Sequence, residues 1–111
     1  MTRRLDLTAL RAAYLSGEKP VTVLEQVYDR IEETGLNLVW ISLVPRDVVL
    51  ARARELDGID PSTLPLYGIP FAVKDNIDVA GMETTAACPA FAYVAEATAT
   101  VVRNLESAGA I

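Results

Sequence analysis

The stretch from Leu64 to Gly81 constrains this sequence most. A short apolar run, Ile69–Val73, is preceded by proline and glycine residues and delivers a single lysine, Lys74, at its end. The polar residues that follow at once are Asp75, Asn76 and Asp78. Such a run is typical of a buried strand, and the edge where such strands end is where α/β proteins usually place their sites. We therefore predict a strand that presents Lys74 at the edge of a sheet.

Apolar periodicity predicts four helices. Their expected ranges are 5–16, 22–34, 46–56 and 98–108. The first helix places three apolar side chains on one face, namely Leu7, Leu10 and Tyr14. The second is expected to follow a turn around Pro20, to begin with a capping box formed by Thr22 and Glu25, and to end at Gly35.

Two strands are predicted between these helices, at residues 38–44 and 69–73, and residues 82–96 are expected to form an extended loop. Strands separated by helices favour an α/β fold with a parallel or mixed sheet sandwiched by helices. Two strands do not complete a sheet, and the sequence stops at Ala108–Ile111, where a helix should lead into another strand. We therefore expect one piece of a larger α/β protein. Its parts would be an N-terminal helical region at 1–36 and an α/β domain at 37–111 that is incomplete at its C-terminal end.

Composition argues against several kinds of function. The net charge of −5 argues against a nucleic-acid partner, because such surfaces need clustered Lys and Arg. The lack of histidine excludes a Ser-His-Asp or Cys-His site from these residues alone. A single cysteine, Cys88, cannot form an internal disulfide or a thiolate metal cluster. The apolar runs fall short of the roughly 18 residues that span a bilayer, and no signal-peptide core is present. We expect a cytoplasmic protein with no membrane partner.

Two interpretations of Lys74 are open. Pattern alone favours a lysine that extends its ammonium group into water at the end of a strand. The alternative is a lysine desolvated by Phe71, Val73 and Ile77, because burial disfavours the ammonium form and lowers the pKa. A general base that works near neutral pH needs a pKa of roughly 7–8. In a chain without histidine, Lys74 is the best candidate for that base.

A nucleophile to accompany Lys74 is not evident. The serines lie in predicted caps, strands or loops without a glycine-rich turn around them. Thr84 and Thr85 are expected to hydrogen-bond the loop backbone, and Cys88 is expected to be a small packed residue. Asp75 would orient Lys74 or the Asn76 amide, or would equally cap a turn. The residues themselves give no complete catalytic set.

Three blocks of this sequence resemble the amidase signature family of serine amidohydrolases. They are the run from Gly68 through Lys74 and Asp75 to Gly81, the pair Thr84-Thr85, and the run Ala99–Ile111. The resemblance implies an α/β fold in which Lys74 is the lysine of a Ser–cis-Ser–Lys triad, with no metal or organic cofactor. Both serines of that triad would follow Ile111, so residues 1–111 alone are expected to be inactive. A small-molecule amide substrate and a homodimeric full-length protein are also expected.

Within that family, the stretch from Thr84 to Tyr93 most resembles the members that hydrolyse allophanate to ammonium and carbon dioxide. Cys88-Pro89 departs from the serine-containing stretch of many relatives, and this departure leaves the substrate open. A general amidase and the A-type subunit of a glutaminyl- or asparaginyl-tRNA amidotransferase are the alternatives within the class. From another class, the lack of a nucleophile and the apolar stripe of the second helix (Leu24, Val27, Tyr28 and Ile31) are compatible with a non-catalytic interaction or dimerisation module.

Overall fold

The structure, a computed structural model, describes residues 3–35 and 40–111. It contains helices α1 (Leu7–Leu15), α2 (Pro20–Thr34), α3 (Arg46–Glu55) and α4 (Thr100–Ser107). Two short strands, β1 (Glu83–Thr84) and β2 (Tyr93–Val94), and two 3-10 turns, Pro61–Thr63 and Pro89–Phe91, complete the described elements. All four helices predicted from periodicity are confirmed. In this part of the chain, no helix is long and apolar enough to cross a membrane.

Helix α1 follows the predicted pattern with one exception. The carboxylate of Asp6 accepts a hydrogen bond from the Ala9 N–H at 2.8 Å and so caps the first turn. Leu10 and Tyr14 face the interior and are buried, whereas Leu7 on the same predicted face is exposed. The apolar face therefore begins one turn later than its spacing predicted.

The capping box predicted for helix α2 is wrong. The helix begins at Pro20, and Lys19 occupies the capping position without a side-chain hydrogen bond. Thr22 therefore lies inside the helix rather than at its start. Proline suits the first helical position, because its fixed φ fits the helix and its missing N–H would have no intrahelical partner there. The predicted end at Gly35 is confirmed.

The two predicted strands are not formed as such. Residues 38 and 39 lie outside the described residues, and residues 40–44 form no strand, with Trp40, Ile41 and Leu43 exposed. Residues 69–73 form no regular strand either. A strand needs a neighbouring strand to take its backbone hydrogen bonds. Within the described residues the sheet consists of β1 and β2, so residues 40–44 have no strand beside them, although the Val44 carbonyl accepts from the Tyr28 hydroxyl.

The segment predicted as an extended loop, 82–96, contains a small antiparallel hairpin instead. Glu83 pairs with Val94 and Thr84 pairs with Tyr93. The 3-10 turn Pro89–Phe91 lies between the two strands. The loop prediction failed because small, hydroxylic residues show little periodicity even when they pair.

The hydrophobic core joins the first three helices to the segment before Lys74. Its buried members come from α1, α2, the α3 region and one loop residue: Leu10, Tyr14, Val23, Leu24, Leu50, Ala53, Leu56 and Tyr67. The rings of Tyr14 and Tyr67 meet edge to face, with centroids 5.3 Å apart. This core takes side chains from both sides of the boundary predicted at residues 36 and 37, and that boundary stays a prediction.

Candidate active site

The helical core fixes one end of the segment that carries Lys74. The Tyr14 hydroxyl donates to the Gly68 carbonyl at 2.6 Å, and the Tyr67 hydroxyl donates to the Leu56 carbonyl at 3.0 Å. Burial raises the pKa of Tyr14 far above its ordinary value, which keeps the hydroxyl protonated as a donor. Residues 67 and 68 are thus anchored to α1 and to the end of α3.

The other anchor of this segment is the stretch after helix α4. The Gly68 N–H donates to the Gly109 carbonyl at 2.9 Å, the Ile111 N–H donates to the Ile69 carbonyl at 2.9 Å, and the Phe71 N–H donates to the Ile111 carbonyl at 3.0 Å. The two bonds of Ile111 follow the pattern of neighbouring parallel strands. The predicted strand before Lys74 is therefore present as a single parallel pairing rather than as a regular strand.

Lys74 lies beyond this pairing, and its side chain is exposed. Phe71, Val73 and Ile77 are partly buried, yet the described residues do not desolvate the lysine as the functional interpretation required. Within residues 3–35 and 40–111, no carboxylate forms a salt bridge with Lys74. Its assignment as a general base stays a prediction.

Asp75 makes the most extensive polar contacts near Lys74. Its carboxylate accepts hydrogen bonds from the Thr85 hydroxyl, from the Thr85 N–H at 3.2 Å and from the Ala87 N–H at 3.3 Å. The hydrogen bond from the Thr85 hydroxyl, with those from the backbone, lowers the pKa of Asp75 below its ordinary value. Of the roles considered for Asp75, these contacts are those of a residue that holds a turn.

Asp78 makes a second set of contacts with the same hairpin. Its carboxylate accepts from the Tyr93 hydroxyl at 2.5 Å and from the Thr84 hydroxyl at 2.7 Å. These bonds lower the pKa of Asp78, and the bond to Asp78 raises the pKa of Tyr93. The backbone carbonyl of Asp78 also accepts from the Ala99 N–H at 2.9 Å, which ties this segment to the start of α4.

These contacts change the roles predicted for the hydroxyl and thiol groups. The Thr84 hydroxyl binds a carboxylate rather than loop backbone. The Thr85 hydroxyl accepts from the Ala87 N–H at 3.2 Å, as predicted, but it also donates to Asp75. That bond joins residues ten positions apart, and no local pattern in the sequence signals it. Cys88 is exposed rather than packed.

A metal site is not formed by the described residues. Among them, no group of three or more acidic or sulfur side chains is arranged to hold a metal ion. The carboxylates of Asp75 and Asp78 bind the hydroxyl groups of the hairpin instead.

Sequence comparison identifies the family. The family model described as Amidase matches residues 22–111, and the chain belongs to this family. The chain is 43% identical over 97 residues to "Urea amidolyase" of Saccharomyces cerevisiae, an alignment that covers 86% of this chain and 5% of that protein. It is 38% identical over 113 residues to the A subunit of the glutamyl-tRNA(Gln) amidotransferase of Symbiobacterium thermophilum, over 96% of this chain and 23% of that protein.

Solved structures agree with this family. Kluyveromyces lactis urea amidolyase matches with a TM-score of 0.71 and 35% identity over 91% of this chain and 6% of that chain. Selenomethionine-substituted Kluyveromyces lactis allophanate hydrolase matches with the same score and identity, over 91% of this chain and 17% of that chain. The predicted α/β class is confirmed by this likeness. The chain spans less than a quarter of the length of any of these relatives.

Proposed function

We propose that this chain is the N-terminal part of a serine amidohydrolase that cleaves allophanate to ammonium and carbon dioxide. The observation that carries the proposal is the likeness to allophanate hydrolase, which extends over 91% of the chain at 35% identity. The 43% identity to urea amidolyase points in the same direction. The proposed reaction breaks a C–N bond of a small amide.

In the proposed mechanism Lys74 is the general base of a Ser–cis-Ser–Lys triad. Neutral Lys74 takes a proton from the bridging cis-serine, which takes one from the nucleophilic serine. The serine oxygen then attacks the amide carbonyl, the C–N bond breaks, and the leaving nitrogen departs with a proton. Water hydrolyses the acyl-enzyme that remains. Both serines belong to a segment after Ile111, so residues 1–111 alone are proposed to be inactive.

The Lys74 side chain is exposed, so its amine is open to a group outside the described residues. A general base must lie within hydrogen-bond reach of the proton that it takes. We propose that the serine-bearing segment packs against Lys74 in the full-length enzyme and brings the bridging serine within that reach.

The substitution Lys74→Ala in the full-length enzyme tests this proposal. Ammonia release from allophanate should be abolished, because the triad loses the group that accepts the serine proton. The matched control is Lys19→Ala, since Lys19 stands at the start of α2 and makes no side-chain capping bond. Near-normal turnover in Lys74→Ala would contradict the proposed role.

The alternative within the family is an amidotransferase subunit or a general amidase. The 38% identity to the glutamyl-tRNA(Gln) amidotransferase subunit keeps this alternative open, although no observation on the described residues favours it. Parallel assays with allophanate, glutamine and simple aliphatic amides separate the candidates. A cytoplasmic location and a homodimeric full-length enzyme belong to the same proposal, and size-exclusion chromatography with light scattering tests the second.

A further inference from the structure

Ala86 and Ala87 adopt a backbone conformation that alanine rarely takes. Their φ angles are 49° and 59°. The Cys88 N–H donates to the Thr85 carbonyl at 2.8 Å and closes a tight turn around them. A turn with positive φ at both central residues normally carries Asn, Asp or Gly, because a Cβ is strained there. Such strain persists only where surrounding contacts impose it, and it concentrates at functional sites.

Asp75 supplies contacts that impose this conformation. Its backbone carbonyl accepts from the Thr85 N–H at 3.2 Å and from the Ala86 N–H at 3.0 Å. Its carboxylate accepts from the Thr85 hydroxyl and from the Ala87 N–H. The successive N–H groups of residues 85, 86 and 87 therefore converge on the residue directly after Lys74. Because both main chain and side chain of Asp75 are engaged, the backbone next to Lys74 is held in one orientation.

The same contacts occupy the carboxylates on the C-terminal side of Lys74. Asp75 is bound by Thr85, and Asp78 is bound by Thr84 and Tyr93. A carboxylate paired with the lysine would favour the ammonium form, which cannot accept a proton. The carboxylate of Asp75 is thus bonded to the turn, and within residues 3–35 and 40–111 it forms no salt bridge with Lys74.

We infer that Asp75 is a positioning residue for Lys74. Through the contacts with Thr85 and Ala87, it fixes the backbone that carries the lysine and keeps its own carboxylate out of an ion pair. The inference rests on the proposed role of Lys74 as the base. It goes beyond that role, because Asp75 acts only through its neighbour and takes no part in the proton transfer.

The test compares Thr85→Val with Thr85→Ser in the full-length enzyme. Valine removes the hydroxyl that binds Asp75 at nearly constant volume, and serine retains it. Thr84→Val is the matched control, because it removes a hydroxyl at a position that is also buried, while Tyr93 still donates to Asp78 and keeps that carboxylate bound. The readouts are kcat and KM for allophanate, the melting temperature, and the rate at which a fluorophosphonate modifies the nucleophilic serine. That rate reports serine activation without the amide substrate.

A positioning role predicts that Thr85→Val lowers kcat by about tenfold, a fraction of what general base catalysis contributes, with KM unchanged within about twofold. Fluorophosphonate labelling should fall in parallel. Thr85→Ser should restore both, and Thr84→Val should keep kcat within about twofold of wild type. If Thr85→Val does not fold, Thr85→Ala makes the same test, because it also removes the hydroxyl that binds Asp75.

Three results would overturn the inference. The first is an unchanged kcat in Thr85→Val, and the second is a rise of KM in that variant without a fall of kcat. The third is an equal loss of kcat in Thr84→Val and Thr85→Val that parallels the fall in their melting temperatures. Two parallel assays separate this inference from the proposed function. Wild-type enzyme without activity on allophanate contradicts the function, and active Lys74→Ala contradicts the proposed role of Lys74 as the base. Active wild type and inactive Lys74→Ala with normal Thr85→Val contradict only the positioning role.

Discussion

The ring of Tyr14 lies directly over Gly68. A Cβ built on Gly68 would be 2.6 Å from Cζ of Tyr14, while the Tyr14 hydroxyl donates to the Gly68 carbonyl at 2.6 Å. Gly68 also has a positive φ of 67°. Glycine is therefore required at position 68 for two reasons: the backbone conformation has a positive φ, and the Tyr14 ring occupies the space of a side chain.

The substitution Gly68→Ala should destabilise the domain by at least about 2 kcal/mol, since overpacking and a strained φ both contribute. Gly58→Ala is the control. Gly58 has a φ of 85° but nothing within 4 Å of its Cβ position, so only the backbone cost of about 1 kcal/mol should appear. Urea unfolding of the two variants measures the difference. Equal losses of unfolding free energy in the two variants would show that Tyr14 moves aside without cost.

Tyr14→Phe should cost about 1–3 kcal/mol, because the carbonyl of Gly68 loses its buried donor. The edge-to-face contact with Tyr67 does not need the hydroxyl and should survive. The free energy of urea unfolding reports the cost. A value within about 0.5 kcal/mol of wild type would mean that water replaces the hydroxyl.

The stabilisation that the hairpin contacts provide should depend on pH. The pKa values of Asp75 and Asp78 are lowered in the folded chain, so ionised carboxylates favour folding. This stabilisation is complete above the unfolded pKa of about 3.9 and is lost as the pH falls through the lower folded pKa. Asp75→Asn should therefore be less stable than wild type near neutral pH and should approach it below about pH 4.

Unfolding measured between acidic and neutral pH tests this expectation. The control is Asp57→Asn, a substitution of the same type at an exposed position just after α3. A difference between Asp75→Asn and wild type that stays constant with pH would contradict the prediction.

Ala87→Gly should stabilise the hairpin by up to about 1 kcal/mol, because glycine adopts a φ of 59° without steric cost. Ala90→Gly, in the neighbouring 3-10 turn Pro89–Phe91, is the matched control. It should be neutral or destabilising, because its only effect is to raise the conformational entropy of the unfolded chain. Thermal melting distinguishes the two variants. Destabilisation by Ala87→Gly would mean that the methyl group packs usefully.

Local sequence patterns predicted the helices well and the strands poorly. Helices α1 to α4 carry their own hydrogen bonds, so apolar spacing and terminal glycines were sufficient evidence. The run 69–73 depends on Ile111 for its pairing, and an apolar run does not specify its partner. Helix α2 begins at Pro20, a residue that suits the first helical position, and not at the predicted Thr22–Glu25 capping box.

The site was predicted only as far as its residue types allow. Lys74 and its acidic neighbours stand out in the sequence because a charged cluster follows an apolar run. The bonds from Thr85 to Asp75 and from Thr84 to Asp78 could not be predicted, because they depend on how the hairpin folds back on residues 75–78. The backbone strain at residues 86 and 87 could not be predicted either, because an alanine in the sequence does not indicate a positive φ.

The pairing between residues 69–71 and Ile111 has a consequence for synthesis on the ribosome. The partners are about 40 residues apart, which corresponds to a delay of roughly 2–8 s at ordinary translation rates. During this interval the apolar segment before Lys74 is a nascent strand without its partner. The Ile69 carbonyl and the Phe71 N–H, which later bind Ile111, are then unpaired. Pro70 lies between them and removes one N–H from the opposite edge of the segment, so an intruding chain would find one donor fewer on that edge.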